Sequence, residues 1–467
     1  MTGDSLTLSS YSDRRLVESK HQLGSLRIEL EEWRAVAAPG GALEKHHSQV
    51  ASLAHHLTIF ATEVENRIAG DPGISTSHRE KLIMDSHAVW DYFRSKLFPR
   101  FVPWHRVFLQ AADEFTWACY RPAFRTRSTG PGRPIPKGPP LVFLNRAEVP
   151  FAQARGGQFT VPNLQAVKEG QWSSFLPFPL IGLPWFAIQH LPILLHVAHE
   201  VGHHIEDDLN LTESLQECVA MAGVRESWQR WIGEVFADVC GCLFSGEAYV
   251  GVLLDALAAR ADTCGMGTYP QAQLRLQVCI AVLDRTGFGR QADRLQAEWK
   301  ERWPGEDPGT EAVNLVETLL SREFDELPRR TLVDSLGCPQ LSDLAGPADN
   351  LLRNQQTGLT DPRAVVAAAG LAFRRSPLSF DDAEVGPAAV AEVRSLMDRL
   401  HRGSEPAADA EDMMGLRDET AGRRLFETIV GSYPDIDCHD ADPTDPEGEP
   451  EQGTNQATGT AITGRLS

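Results

Sequence analysis

Two pairs of polar residues, each spaced four apart inside an apolar run, constrain this chain more than any other feature. His199 and His203 lie in LLHVAHEVGHHI, and Glu234 and Asp238 lie in WIGEVFADVCGCLF. Runs of this composition and length read as buried helices, and on a helix residues four apart share a face. Two carboxylates placed in such a run demand partners, because an unpaired buried charge is costly.

A zinc ion would satisfy both runs at once. Two imidazoles four apart on one helical face suit zinc, and Glu234 supplies a third ligand, leaving a position for water. Glu200 stands beside the first ligand, where it can act as general base on a zinc-bound water. Asp238 is placed to hydrogen-bond a ligand histidine and orient it. Two blander readings stay open. The histidines could be core residues with the carboxylates in buried ion pairs. Alternatively, the zinc could be held without catalysis in a zincin-like binding or regulatory protein, although a purely structural site has no need of Glu200.

His-Glu-x-x-His followed about thirty residues later by Glu-x-x-x-Asp resembles the glutamate-type zincins, the gluzincins. The form Glu234-Val235-Phe236-Ala237-Asp238 is most similar to the M48 class of peptidases. The third motif of that class, a His-Pro pair followed by an arginine, has a counterpart in Tyr269-Pro270 and Arg275, with tyrosine in the histidine position. The resemblance covers roughly residues 190–280. It implies a mainly helical α+β fold with a zincin-like core, a small sheet and a long helix carrying the HExxH motif. It further implies one zinc ion on His199, His203 and Glu234, with Asp238 orienting His199 and Glu200 and Tyr269 acting in catalysis. Tyr269 would donate to the oxyanion, and Tyr269 or Arg275 would lie near the cleft. His196, one turn before His199, reads first as a packed histidine, with a place in the cleft lining as the alternative. The substrate would be a peptide or protein, cut internally rather than from an end.

The rest of the chain divides into four stretches. Residues 1–130 read as an N-terminal helical region, 131–300 as the catalytic domain, 301–432 as a C-terminal helical region, and 433–467 as a disordered acidic tail. Short strands are expected at 141–145 and 159–161, and helices at 193–208, 228–243, 249–260 and 271–283, among others. Residues 175–198 are apolar enough to span a bilayer, but Pro177, Pro179, Pro184 and Pro192 interrupt them. They read as an irregular buried loop leading into a core helix, with no membrane partner. The flanking helices suggest contacts with a protein partner. A net charge of -20 argues against nucleic-acid binding. Eight cysteines without a CxxC pair, and no visible secretory signal at the start, point to a reducing, cytoplasmic location. His46, His47, His55 and His56 read as packing and surface residues. Trp104-His105-Arg106 resembles a copper motif of tyrosinase-like proteins, but the remaining ligands are missing.

Overall fold

The computed structural model describes residues 10–38, 40–70, 74–124, 138–159, 174–258, 270–302 and 310–399. These form α1 (Tyr11–Ala37), α2 (His47–Gly70), α3 (Thr76–Leu97) and α4 (Pro103–Tyr120). Five short strands follow: β1 (Leu141–Asn145), β2 (Phe151–Gln153), β3 (Gln158–Phe159), β4 (Ser174–Phe175) and β5 (Leu180–Pro184). Then come α5 (Leu194–Leu209), α6 (Thr212–Ala222), α7 (Ser227–Ala258), α8 (Ala272–Arg285), α9 (Gly289–Arg302) and α10 (Glu311–Ser321). The described chain closes with α11 (Leu332–Leu336), α12 (Ala345–Leu352), α13 (Pro362–Arg375), α14 (Pro377–Asp382) and α15 (Val385–Arg399). The architecture is a mainly helical, zincin-like α+β fold. The acidic tail expected at 433–467, the end of the strand expected at 159–161, and Tyr269 lie outside the described residues.

The sheet has the order β1-β5-β2, with β1 parallel and β2 antiparallel to β5, while β3 and β4 form a separate two-stranded ribbon. Alternation along the strands divides the interior. Val142, Ile181 and Leu183 face the larger core, formed by α4 and most of the helices from α5 onward. Leu141, Phe143 and Leu180 face a smaller core built with α1, α2 and α3. A buried polar joint ties the two sides together. Arg100 donates to Asp113 at 2.8 Å and to the Val142 carbonyl at 2.8 Å, and His46 on the other side lies 3.1 Å from Asp113. His46 is thus a core histidine with partners.

Residues 175–198 differ from the irregular loop that their prolines suggest. Residues 180–184 form β5, the central strand of the sheet, with Pro179 just before it and Pro184 as its last residue. Strands this short fit between prolines that would break a helix. Helix α5 then begins and ends at Asn210, whose left-handed conformation (φ 56°) lets its N–H close on the last turn. The acidic end of α5 has a basic partner: Arg155 Nε donates to Asp208 at 3.0 Å, and the Tyr120 hydroxyl donates to the same carboxylate at 2.5 Å.

Helix α7 holds the two helices that the sequence predicts near 228–243 and 249–260, joined at a kink. It runs as one element broken at Gly246 (φ 57°, ψ -141°), a conformation essentially reserved for glycine. The kink brings the start of the second helix against the first. Tyr249 therefore lies against Gly241, where an added Cβ would sit 2.6 Å from the tyrosine ring. By length and composition α7 could cross a membrane, but 89% of its apolar window is buried inside the protein. It is the central helix of the larger core. Gly246→Ala is expected to cost about 1–3 kcal/mol of stability from backbone strain. Gly24→Ala, where an added Cβ meets nothing within 4 Å, should instead be neutral or stabilising by up to about 1 kcal/mol. Denaturant unfolding of the two variants measures both signs.

Candidate metal centre

Helices α5 and α7 pack closely because Gly202 lets them. An added Cβ there would stand 2.7 Å from Ala237 Cα and 3.0 Å from Cys240 Cβ. Gly202 lies between the two histidines of α5, and Ala237 lies between Glu234 and Asp238 of α7. Backbone contact at this point brings the two polar faces together. His199, His203 and Glu234 converge, with their ligand atoms within 4.8 Å of one another. His199 Nε2 is 3.2 Å from Glu234 Oε2 and 3.2 Å from His203 Nε2, and His203 Nε2 is 3.6 Å from Glu234 Oε1.

These separations test the donor set for zinc. A tetrahedral ion with ligands about 2.0–2.2 Å away holds neighbouring donor atoms about 3.3–3.6 Å apart; the two Nε2 atoms at 3.2 Å, and each of them to its nearer Glu234 oxygen at 3.2 and 3.6 Å, lie close to that spacing, with the carboxylate facing the two imidazoles through different oxygens. The chemistry agrees with the geometry. Asp238 Oδ1 lies 2.9 Å from His199 Nδ1, and a carboxylate only accepts, so Nδ1 carries the proton. In the neutral ring the Nε2 lone pair then confronts the Glu234 carboxylate. A cation between them, whether a proton or a metal, relieves the clash. The same demand shows in the titration of the group. Burial disfavours a charged His199, but hydrogen bonds to Asp238 and Glu234 outweigh it and raise the imidazole to about 9. Burial would likewise raise the Glu234 carboxyl, yet its two histidine neighbours hold it well below the usual carboxylate range. The site is built to hold positive charge.

Asp238 is fully buried and anchors this arrangement. Arg275 on α8 grips it with both arms, Nε to Oδ2 at 2.8 Å and Nη2 to Oδ1 at 2.7 Å. The Tyr249 hydroxyl donates to Oδ1 at 2.6 Å. Burial pushes the Asp238 carboxyl up, but Arg275 and then His199 hold it well below the ordinary range. Arg275, expected near the cleft, is therefore behind His199 with its charge committed to Asp238. Tyr249 was not among the residues singled out in the sequence. The available signal was a buried tyrosine, whose hydroxyl needs a partner, just after Ser245-Gly246 in an apolar helix.

Glu200 is 2% exposed, and its Oε1 has no hydrogen-bond partner among the described residues. His196 stands one turn before His199 on α5 and is partly buried. His204 faces the other way. Burial holds its ring down to about 3, so it is neutral, and its Nε2 lies 3.2 Å from the Leu180 carbonyl, joining α5 to β5. Cys240 and Cys242 are packed among apolar residues, and the His/His/Glu cluster includes neither.

Fold and site together define a class: a mainly helical zincin-like protein with a buried HExxH-type metal-binding cluster. Compared with known proteins, the chain matches no family model, no curated protein and no solved structure. Gly202→Ala is expected to part α5 from α7. It should cost about 1–3 kcal/mol, as overpacking does in close-packed cores, and weaken metal binding by moving His203 away from Glu234. Thermal unfolding and chelator competition read the two effects separately.

Proposed function

We propose that this protein is a zinc-dependent peptidase of the gluzincin kind, resembling the M48 class, acting on peptides or proteins. One observation carries the reading. A His-His-Glu cluster with its ligand atoms within 4.8 Å of one another is joined, next to His199 in the chain, by Glu200, a buried glutamate whose Oε1 has no hydrogen-bond partner among the described residues. Zinc binding alone would not require that glutamate. His199, His203 and Glu234 would hold one zinc ion, which when bound polarises a substrate carbonyl and lowers the pKa of water. Glu200 takes the proton from the attacking water and delivers it to the leaving amine. Asp238, held by Arg275 and Tyr249, keeps His199 in the tautomer that presents Nε2 to the metal. Tyr269 remains the proposed donor to the oxyanion. A cytoplasmic location is part of the same proposal, and the six free thiols among the described residues agree with it.

The depth of the site favours one second reading. The His199, His203 and Glu234 side chains are only 3%, 12% and 8% exposed, as a structural zinc centre would be. The two readings separate cleanly in the intact chain. The peptidase reading expects one zinc per chain by elemental analysis and chelator-sensitive cleavage of a mixed peptide library. Glu200→Gln should then keep its zinc and lose roughly 10²–10⁴ in rate. Stoichiometric zinc without cleavage in the unmutated chain would leave the structural reading. No zinc at all would sink both.

A further inference from the structure

We propose that Tyr249 is a positioning residue for the metal centre, acting through Asp238 on His199. The inference rests on the zinc reading above and adds a residue that neither motif contains.

The Asp238 carboxylate receives four hydrogen bonds. Oδ1 lies within 2.6 Å of the Tyr249 hydroxyl, 2.7 Å of Arg275 Nη2 and 2.9 Å of His199 Nδ1, and Oδ2 lies within 2.8 Å of Arg275 Nε. Three of the four converge on Oδ1 and the fourth engages Oδ2, so both oxygens are held. With the carboxylate so held, its plane cannot rotate away from His199. The Tyr249 oxygen is also 3.3 Å from His199 Nδ1, so it flanks the ring nitrogen as well as the acid that holds it. Arg275 fixes the carboxylate from α8, and Tyr249 fixes it from the second half of α7.

The backbone is arranged around this hydroxyl. Eleven residues separate Tyr249 from Asp238 along the chain, a distance of about 16 Å on a straight helix. The glycine-only break at Gly246 removes that distance. Gly241 then leaves room for the ring, since a Cβ there would lie 2.6 Å from two of its carbons. Tyr249 is 1% exposed and stands on the Nδ1 side of His199, opposite the Nε2 that faces Glu234. Buried on that side of the ring, it serves to hold a ligand and not to donate to a reacting atom.

Tyr249→Phe keeps the ring and removes the hydroxyl. In the intact chain, zinc affinity measured by competition with a chromogenic chelator is expected to fall about tenfold, at the low end of the effect of losing an outer-shell partner. Because the effect passes through Asp238, it should shrink to less than about threefold when measured in an Asp238→Asn background. A packing role alone would change thermal stability of the metal-free protein while leaving zinc affinity in place, or would change affinity equally in both backgrounds. Either result overturns the proposal. Gly241→Ala, which keeps the hydroxyl but displaces the ring, is a second variant and should weaken zinc binding as well; undiminished affinity there also overturns it. If the unmutated chain binds no zinc, it is the functional reading that fails.

Discussion

The Asp238 carboxylate is the point on which the rest of the site depends. It is wholly buried, and a lone carboxylate in that position would be prohibitively costly. Three donors from three chain segments make it tolerable: His199 on α5, Arg275 on α8, and Tyr249 on the second half of α7. Removing one partner from such a buried set typically costs several kcal/mol, because the others are left uncompensated. The same cluster therefore joins the helices and fixes the His199 tautomer. Structure and chemistry meet in one group.

Around that anchor, small residues and short polar links set the geometry. Gly202 lets α5 approach α7 at backbone distance, and this approach places His199 and His203 over Glu234. His204, on the far side of α5, reaches the Leu180 carbonyl of β5 and sets the helix against the sheet. The sheet in turn separates two cores, and Arg100 with Asp113 and His46 joins them through a buried polar contact. Helix α13 closes the larger core near the start of α5, where an added Cβ at Gly370 would lie 2.5 Å from Leu195. The C-terminal helices thus share the interior of the metal-bearing pair.

What the sequence revealed follows from which signals are local. The fours in His199/His203 and Glu234/Asp238 are helical spacing written directly in the chain, and each pair needs a partner when buried. Their meeting follows from the sequence alone. β1 was legible over 141–145 because a short apolar run stands between polar flanks. Other features depend on tertiary context. β5 was hidden because its flanking prolines read as disruption, although they bracket a strand of five residues. The two helices of α7 are legible on either side of Ser245-Gly246, but the angle of the kink between them is not. Tyr249 is hidden for the same reason, because its contact with Asp238 exists only across that kink. Arg275 was noticed by its place in a motif, yet the charge it serves lies behind the ligand and away from the cleft.

The central claim is that two imidazoles and one carboxylate hold a single zinc ion. X-ray absorption at the zinc edge, on the intact chain loaded with one equivalent of zinc, tests it most directly. The account expects a shell of four nitrogen and oxygen scatterers at about 2.0–2.2 Å, with the outer-shell pattern of two imidazoles. A sulfur scatterer at about 2.3 Å, which would bring a cysteine such as Cys240 or Cys242 into the ligand set, would contradict it, as would a shell showing no imidazole.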